Sequence, residues 1–124
     1  MIQKLKQGEV WLANLNPTRG TEPGKCRPVL IVQNQALLDI QHPSTLIVPL
    51  TTKLIDEAEP LRICIKAQPG LDHDSDLLID QIRTIDNKRL IEGPLLRCKE
   101  KLMQQVYEAI HEVMGMTDYL ITVA

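Results

Sequence analysis

The sequence predicts a mainly β fold with a C-terminal helix, a small twisted barrel against which the helix packs. Three observations carry that expectation. Apolar residues over the first two thirds of the chain fall into short runs or alternate with polar ones, punctuated by Gly, Pro, Asn and Asp. From Glu100 onward the apolar spacing becomes that of a helix. The length, 124 residues with 44% hydrophobic and 24% charged, suits one core, so residues 1–124 are expected to form a single domain.

In chain order, Gly8-Glu9-Val10-Trp11-Leu12-Ala13-Asn14-Leu15 is the first strand, with Trp11 read as core, and turn chemistry follows it. Arg27-Pro28-Val29-Leu30-Ile31-Val32-Gln33-Asn34 is a continuous apolar run, the pattern of a strand buried on both faces. Thr45 to Thr52 is a third strand, in which Pro49 suggests an edge or a strand end. Leu61-Arg62-Ile63-Cys64-Ile65-Lys66 alternates like a half-exposed strand. Asp76 to Thr84 is expected to be a fifth, followed by a short turn or helical piece near Asp86-Asn87-Lys88-Arg89-Leu90. Leu102, Val106, Ala109, Ile110 and Val113 then mark one face of an amphipathic helix that stops at Gly115.

Composition narrows the function classes. No apolar run approaches the roughly 20 residues of a membrane span, and the first residues do not resemble a signal peptide. Cys26, Cys64 and Cys98 are odd in number and widely spaced, which points to a reducing cytoplasm rather than a disulfide framework. The formal net charge of −2 argues by itself against a nucleic-acid binder. The charge is unevenly spread, however. Residues 1–53 carry six basic and three acidic groups, residues 54–81 two and seven, and residues 82–101 six and three. The two basic stretches could form a positive patch on an acidic protein.

The segment from Asn16 to Cys26 is long for a barrel connection, and long ordered loops tend to be functional. It carries Arg19, Glu22 and Lys25, and Arg27 follows. Pro28 biases Arg27 to an extended backbone, so its planar fork is aimed from a fixed base, as phosphate recognition requires. The plain alternative is a solvated loop whose arginine pairs with a local carboxylate. Thr51 and Thr52 supply hydroxyls at the end of the third strand, and Asp80-Gln81 interrupts an apolar run where polar groups need partners, Arg83 or Arg27 being candidates. Asp72-His73-Asp74-Ser75-Asp76 imitates a calcium loop, but Leu77 stands at the glycine position and Arg83 at the distal glutamate position, so it reads as a solvated acidic turn. His42, His73 and His111 lie in unrelated contexts, none in the Arg27 loop, and nothing supports a Cys26–His nucleophilic pair. With one Trp and two Tyr, extensive base stacking is unavailable.

Five pieces in order change the reading: Gly-Glu-Val-Trp at 8–11, Pro-Thr-Arg-Gly-Thr-Glu at 17–22, Gly-x-x-Arg-Pro-Val-Leu-Ile-Val at 24–32, Val-Pro-Leu-Thr-Thr at 48–52 and Asp-Gln-Ile-Arg-Thr-Ile-Asp at 80–86. Together they resemble the MazF/PemK family of toxin endoribonucleases (mRNA interferases) of type II toxin–antitoxin systems. The resemblance runs from about Gly8 into the C-terminal helix. It implies a homodimer of SH3-like barrels that cleaves single-stranded RNA or mRNA without metal or other cofactor and so arrests growth. It implies attack by the ribose 2′-hydroxyl on the adjacent phosphate, leaving a 2′,3′-cyclic phosphate and a 5′-hydroxyl. It implies a cognate antitoxin whose extended acidic segment occupies the RNA groove, with DNA contact only through the antitoxin complex and none with membrane.

Carried residue by residue, the family's arginine falls on Arg27, its phosphate-contacting threonine on Thr51, the loop acid on Glu22 and the later carboxylate on Asp80. Thr18, Arg19, Thr21, Lys25, Thr52, Gln81 and Arg83 are expected to contact RNA. Some members have His at the position of Thr21 and Arg at that of Leu78. Those departures leave the general acid unassigned, and the base is either Glu22 or Asp80. The alternative function is a non-catalytic, gyrase-poisoning toxin of the same fold. That group depends on an aromatic C-terminus, where this chain reads Leu120-Ile121-Thr122-Val123-Ala124, and lacks the arginine–threonine pair.

Overall fold

The computed structural model describes residues 4–17, 20–21 and 25–116. Its regular elements are β1 (Glu9–Asn14), β2 (Cys26–Ile31), α1 (Gln35–Asp39), β3 (Ser44–Thr51), β4 (Arg62–Ile65), β5 (Ser75–Leu78), β6 (Arg83–Asp86), β7 (Leu90–Arg97) and α2 (Glu100–Val113). The strands form one seven-stranded sheet in the order β4-β5-β3-β2-β1-β7, with β6 pairing β3 beside β5. The pairings are antiparallel. The sheet is not closed among the described residues: β4 and β7 are its ends, so the expected barrel is an open sheet here.

Alternation sorts side chains onto two cores, as the two-residue strand period requires. Val10, Leu30, Val48 and Leu50 face one side, where Met103, Val106, Ala109 and Ile110 of α2 cover them. Trp11, Ala13, Val29, Ile31 and Ile47 face the other, with Leu5, Leu15, Leu38, Ile85 and Leu90. The apolar run of β2 is therefore buried on both faces, as expected, because β2 lies between β1 and β3 at the middle of the sheet. Pro49 is not at an edge. It falls between the β6-paired part of β3 (Ser44–Ile47) and the β5-paired part (Leu50 and Thr51), where that ladder is interrupted.

Three elements differ from expectation. The fifth strand divides into β5, a 3-10 turn at Ile79–Gln81, and β6. The turn rotates Asp80 out to solvent and leaves Gln81 half-buried. β7 was not expected; it holds Gly93-Pro94 and is an end strand with an irregular register against β1, where proline is tolerated. α1 is too short to show a helical period, although Asn34 caps it by accepting the Ala36 N–H at 2.8 Å. The stop of α2 is as expected. Gly115 has φ +70°, and the N–H groups of Gly115 and Met116 bond the carbonyls of Glu112 and His111 at 3.0 and 2.8 Å, a Schellman cap. Among the described residues no helix is long and apolar enough to cross a membrane.

Candidate active site

Arg27 stands in β2 opposite Ala13, with the extended backbone that Pro28 favours. Its half-buried side chain crosses to the end of β3, where Nη1 donates to the Leu50 carbonyl at 3.1 Å. That bond anchors the guanidinium at the residue before Thr51, and both residues line one cleft. Burial pushes the Arg27 pKa below its usual value, yet an arginine stays charged at neutral pH. The Thr51 hydroxyl oxygen accepts the Lys53 N–H at 3.2 Å, which orients the hydroxyl and keeps its own hydrogen available for donation.

Around this pair lies a cleft of about 590 Å³ with Leu12, Leu50, Leu71 and Leu95 among its apolar lining, and with Lys25, Arg27, Lys53, Thr51 and Thr52 supplying charge and hydroxyls. Three cations against one carboxylate, Asp72, with the threonine hydroxyls around an apolar floor, suit a phosphodiester whose sugar or base packs against the floor. Thr21, Asp80 and Gln81 are brought together elsewhere, in a cavity of about 330 Å³ with Arg62, Ile55 and Leu61. The structure thus does not bring Asp80 into the Arg27 cleft. Arg83, opposite Ile47 in β6, lines neither cavity. Glu22, Thr18 and Arg19 lie outside the described residues. A third groove, between Glu59-Pro60 and α2, carries Glu59, Glu108 and Glu112, and its charge would repel phosphate.

Sequence reasoning missed Lys53 and His73, both of which line the Arg27 cleft. Lys53 had a local signal, since it follows the two threonines. His73 had none, because it reaches the cleft only through the tertiary placement of the 66–74 turn. The acidic run around it is solvated only in its first part: Asp72 is exposed and Asp74 half-buried, whereas Asp76, already in β5, is 3% exposed. Among the described residues no group of three or more His, Cys, Asp or Glu is placed to hold a metal ion.

The family model for the PemK-like, MazF-like toxin of type II toxin–antitoxin systems matches residues 6–114. The chain belongs to this toxin family. Among PemK/MazF relatives, it is 39% identical to the endoribonuclease MazF of Staphylococcus saprophyticus over 90% of this chain and 92% of that protein. It is 33% identical to the endoribonuclease EndoA of Bacillus subtilis over 93% and 98%. The fold is shared with the crystal structure of Deinococcus radiodurans MazF (TM-score 0.77, 20% identity, 92% of this chain and 99% of that one). It is shared too with that organism's MazE–MazF structure (TM-score 0.72, 20% identity, 93% and 99%).

Proposed function

We propose that this chain is the endoribonuclease toxin of a type II toxin–antitoxin pair and that it cleaves single-stranded RNA in the Arg27–Thr51 cleft. The observation that supports the assignment is the Arg27 bond to the Leu50 carbonyl, which anchors a guanidinium in the cleft that Thr51 also lines. As a 2′-oxygen attacks phosphorus, charge accumulates on the non-bridging oxygens. A preorganised guanidinium and hydroxyl stabilise that charge best where apolar walls exclude water. The P–O5′ bond then breaks, leaving a 2′,3′-cyclic phosphate and a 5′-hydroxyl. The guanidinium supplies the positive charge that a metal would otherwise bring, so cleavage proceeds in the presence of chelator.

Of the two candidate bases, Asp80 shares its cavity with Thr21 and Gln81, a polar set suited to a base edge. That leaves Glu22, the loop acid matched by the family resemblance, to take the 2′-proton. Arg27→Ala should fold and lose about two to three orders of magnitude in cleavage rate, the scale of one electrostatic stabiliser. Thr51→Ala should lose less, a neutral donor being weaker than a charged one, and Glu22→Gln should lose more than Asp80→Asn. Single-turnover cleavage of a single-stranded oligoribonucleotide in chelator measures all four, and Arg27→Ala cleaving at the wild-type rate would sink the assignment.

The toxin works in the cytoplasm, where its mRNA substrate is, and as a homodimer. Leu37, Ile40, Leu54, Ile55, Leu61 and Ile91 are large apolar side chains left exposed on one chain, area that a second copy can cover. Sedimentation at active concentrations should give the mass of two chains; the mass of one would refute the dimer.

A further inference from the structure

The cleavage just described leaves one proton unassigned. When the 2′-O–P bond forms and the P–O5′ bond breaks, the 5′-oxygen departs with the bonding pair and leaves well only if it gains a proton. Arg27 holds its protons too tightly to supply one, and Thr51 can donate a hydrogen bond but not give up its hydrogen. The other titratable groups lining the cleft are Lys25 and Cys26 at the start of β2, Lys53 after β3, and Asp72 and His73 on the turn before β5. A carboxylate ordinarily has no proton to give at neutral pH, and lysine and cysteine are weaker acids than imidazolium. Imidazole is the side chain that both holds and releases a proton near neutrality.

We propose that His73 is the acid of this reaction, passing a proton from its imidazolium to the departing 5′-oxygen; the inference rests on the nuclease reading of the Arg27 cleft. Its backbone is held on both sides while its side chain stays exposed at the cleft. Upstream, Gly70 runs so close to β7 that a Cβ there would lie 2.0 Å from the Leu95 carbonyl oxygen, and Leu71, 5% exposed, is anchored in the core. Downstream, the Asp74 carboxylate accepts the Ala67 N–H at 2.8 Å, and Ser75 Oγ donates to the His73 carbonyl at 3.0 Å. A fixed backbone with a free ring is the arrangement that positions a proton donor without burying it.

The test compares two oligoribonucleotides that differ only at the scissile bond. One carries the natural 5′-oxygen and the other a 5′-bridging sulfur, whose thiolate leaves without a proton. Wild type and His73→Asn, both checked for folding by thermal melt, are assayed in single turnover across pH. His73→Asn should cleave the oxygen substrate about 100-fold or more slowly, the usual scale of acid–base catalysis. It should cleave the sulfur substrate within about threefold of wild type, since no proton transfer is then required. The wild-type rate on oxygen should fall as pH rises and the acid is lost, and the variant should lack that fall. An unchanged rate on oxygen, or an equal loss on both substrates, overturns the assignment. Those results in a protein that still depends on Arg27 overturn His73 alone. If wild type cleaves neither substrate, or Arg27→Ala is fully active, the nuclease reading of the cleft falls and takes this inference with it.

Discussion

Glu9 shows how much one residue can organise. It is 2% exposed at the first residue of β1, where a carboxylate survives only if its oxygens are satisfied. Oε1 accepts the Lys6 N–H at 2.9 Å and Trp11 Nε1 at 3.1 Å, and Oε2 pairs with Arg97 Nε at 3.2 Å. One side chain thus ties the entry to β1, the indole of the second core and the end of β7. Glu9→Ala would leave the indole N–H of Trp11 buried without its acceptor. It should cost about 1–3 kcal/mol, the penalty for a buried unsatisfied polar group, read as a lower denaturant midpoint at unchanged slope. Arg97→Ala should cost less than about 1 kcal/mol, because that side chain is 62% exposed and its charge is screened.

At the scale of elements, β5 and the connection from β3 to β4 depend on each other. Asp76 in β5 accepts the Ile55 N–H at 3.0 Å and pairs with Arg62 of β4 at 3.2 Å. Arg62 also donates to the Lys53 carbonyl at 2.8 Å. The 53–61 connection is therefore clamped from beneath, and with it Lys53 at the cleft and Ile55 and Leu61 in the Thr21 cavity. The three aspartates of the run are consequently not equivalent. Asp76→Asn should destabilise by about 1–3 kcal/mol, since Arg62 keeps its charge and loses the buried carboxylate that pairs it. Asp72→Asn, exposed at the cleft, should fall within about 0.5 kcal/mol of wild type. Equal melting temperatures for the two variants would show that Asp76 is not the clamp.

Across the whole molecule the small negative net charge conceals a division of surfaces. The Arg27 cleft gathers Lys25 and Lys53, whereas the groove beside α2 gathers Glu59, Glu108 and Glu112. An extended polyanion, whether RNA or the acidic segment of an antitoxin, fits only the first. The two ligands should then compete directly. RNA binding should weaken steeply with salt as counterion release loses its value. Antitoxin binding should weaken less, because its apolar side chains are insensitive to screening, so competition shifts toward the antitoxin as ionic strength rises. Titrating labelled RNA and antitoxin against Arg27→Ala at two salt concentrations checks this, and a ternary complex with undiminished affinity for both would refute a shared cleft.

The strand-then-helix order, the double burial of β2, the helix stop at Gly115, the pre-proline geometry of Arg27 and the family motifs are legible along the chain. These are properties of neighbours along the chain, where a two-residue or 3.6-residue period and the fixed φ of proline act directly. Which polar groups share a cavity was decided only by tertiary structure. The register of β2 on β3 sets Arg27 against the Leu50 carbonyl, and the 3-10 turn at Ile79–Gln81 sends Asp80 to a separate cavity. Close packing of Gly70 on β7 carries His73 to the cleft, and the cross-strand Arg62 makes Asp76 a buried anchor. Periodicity reports the face of the sheet on which a side chain lies. It does not report the residue opposite on the next strand, because that register is fixed by burial and turn geometry over the whole sheet.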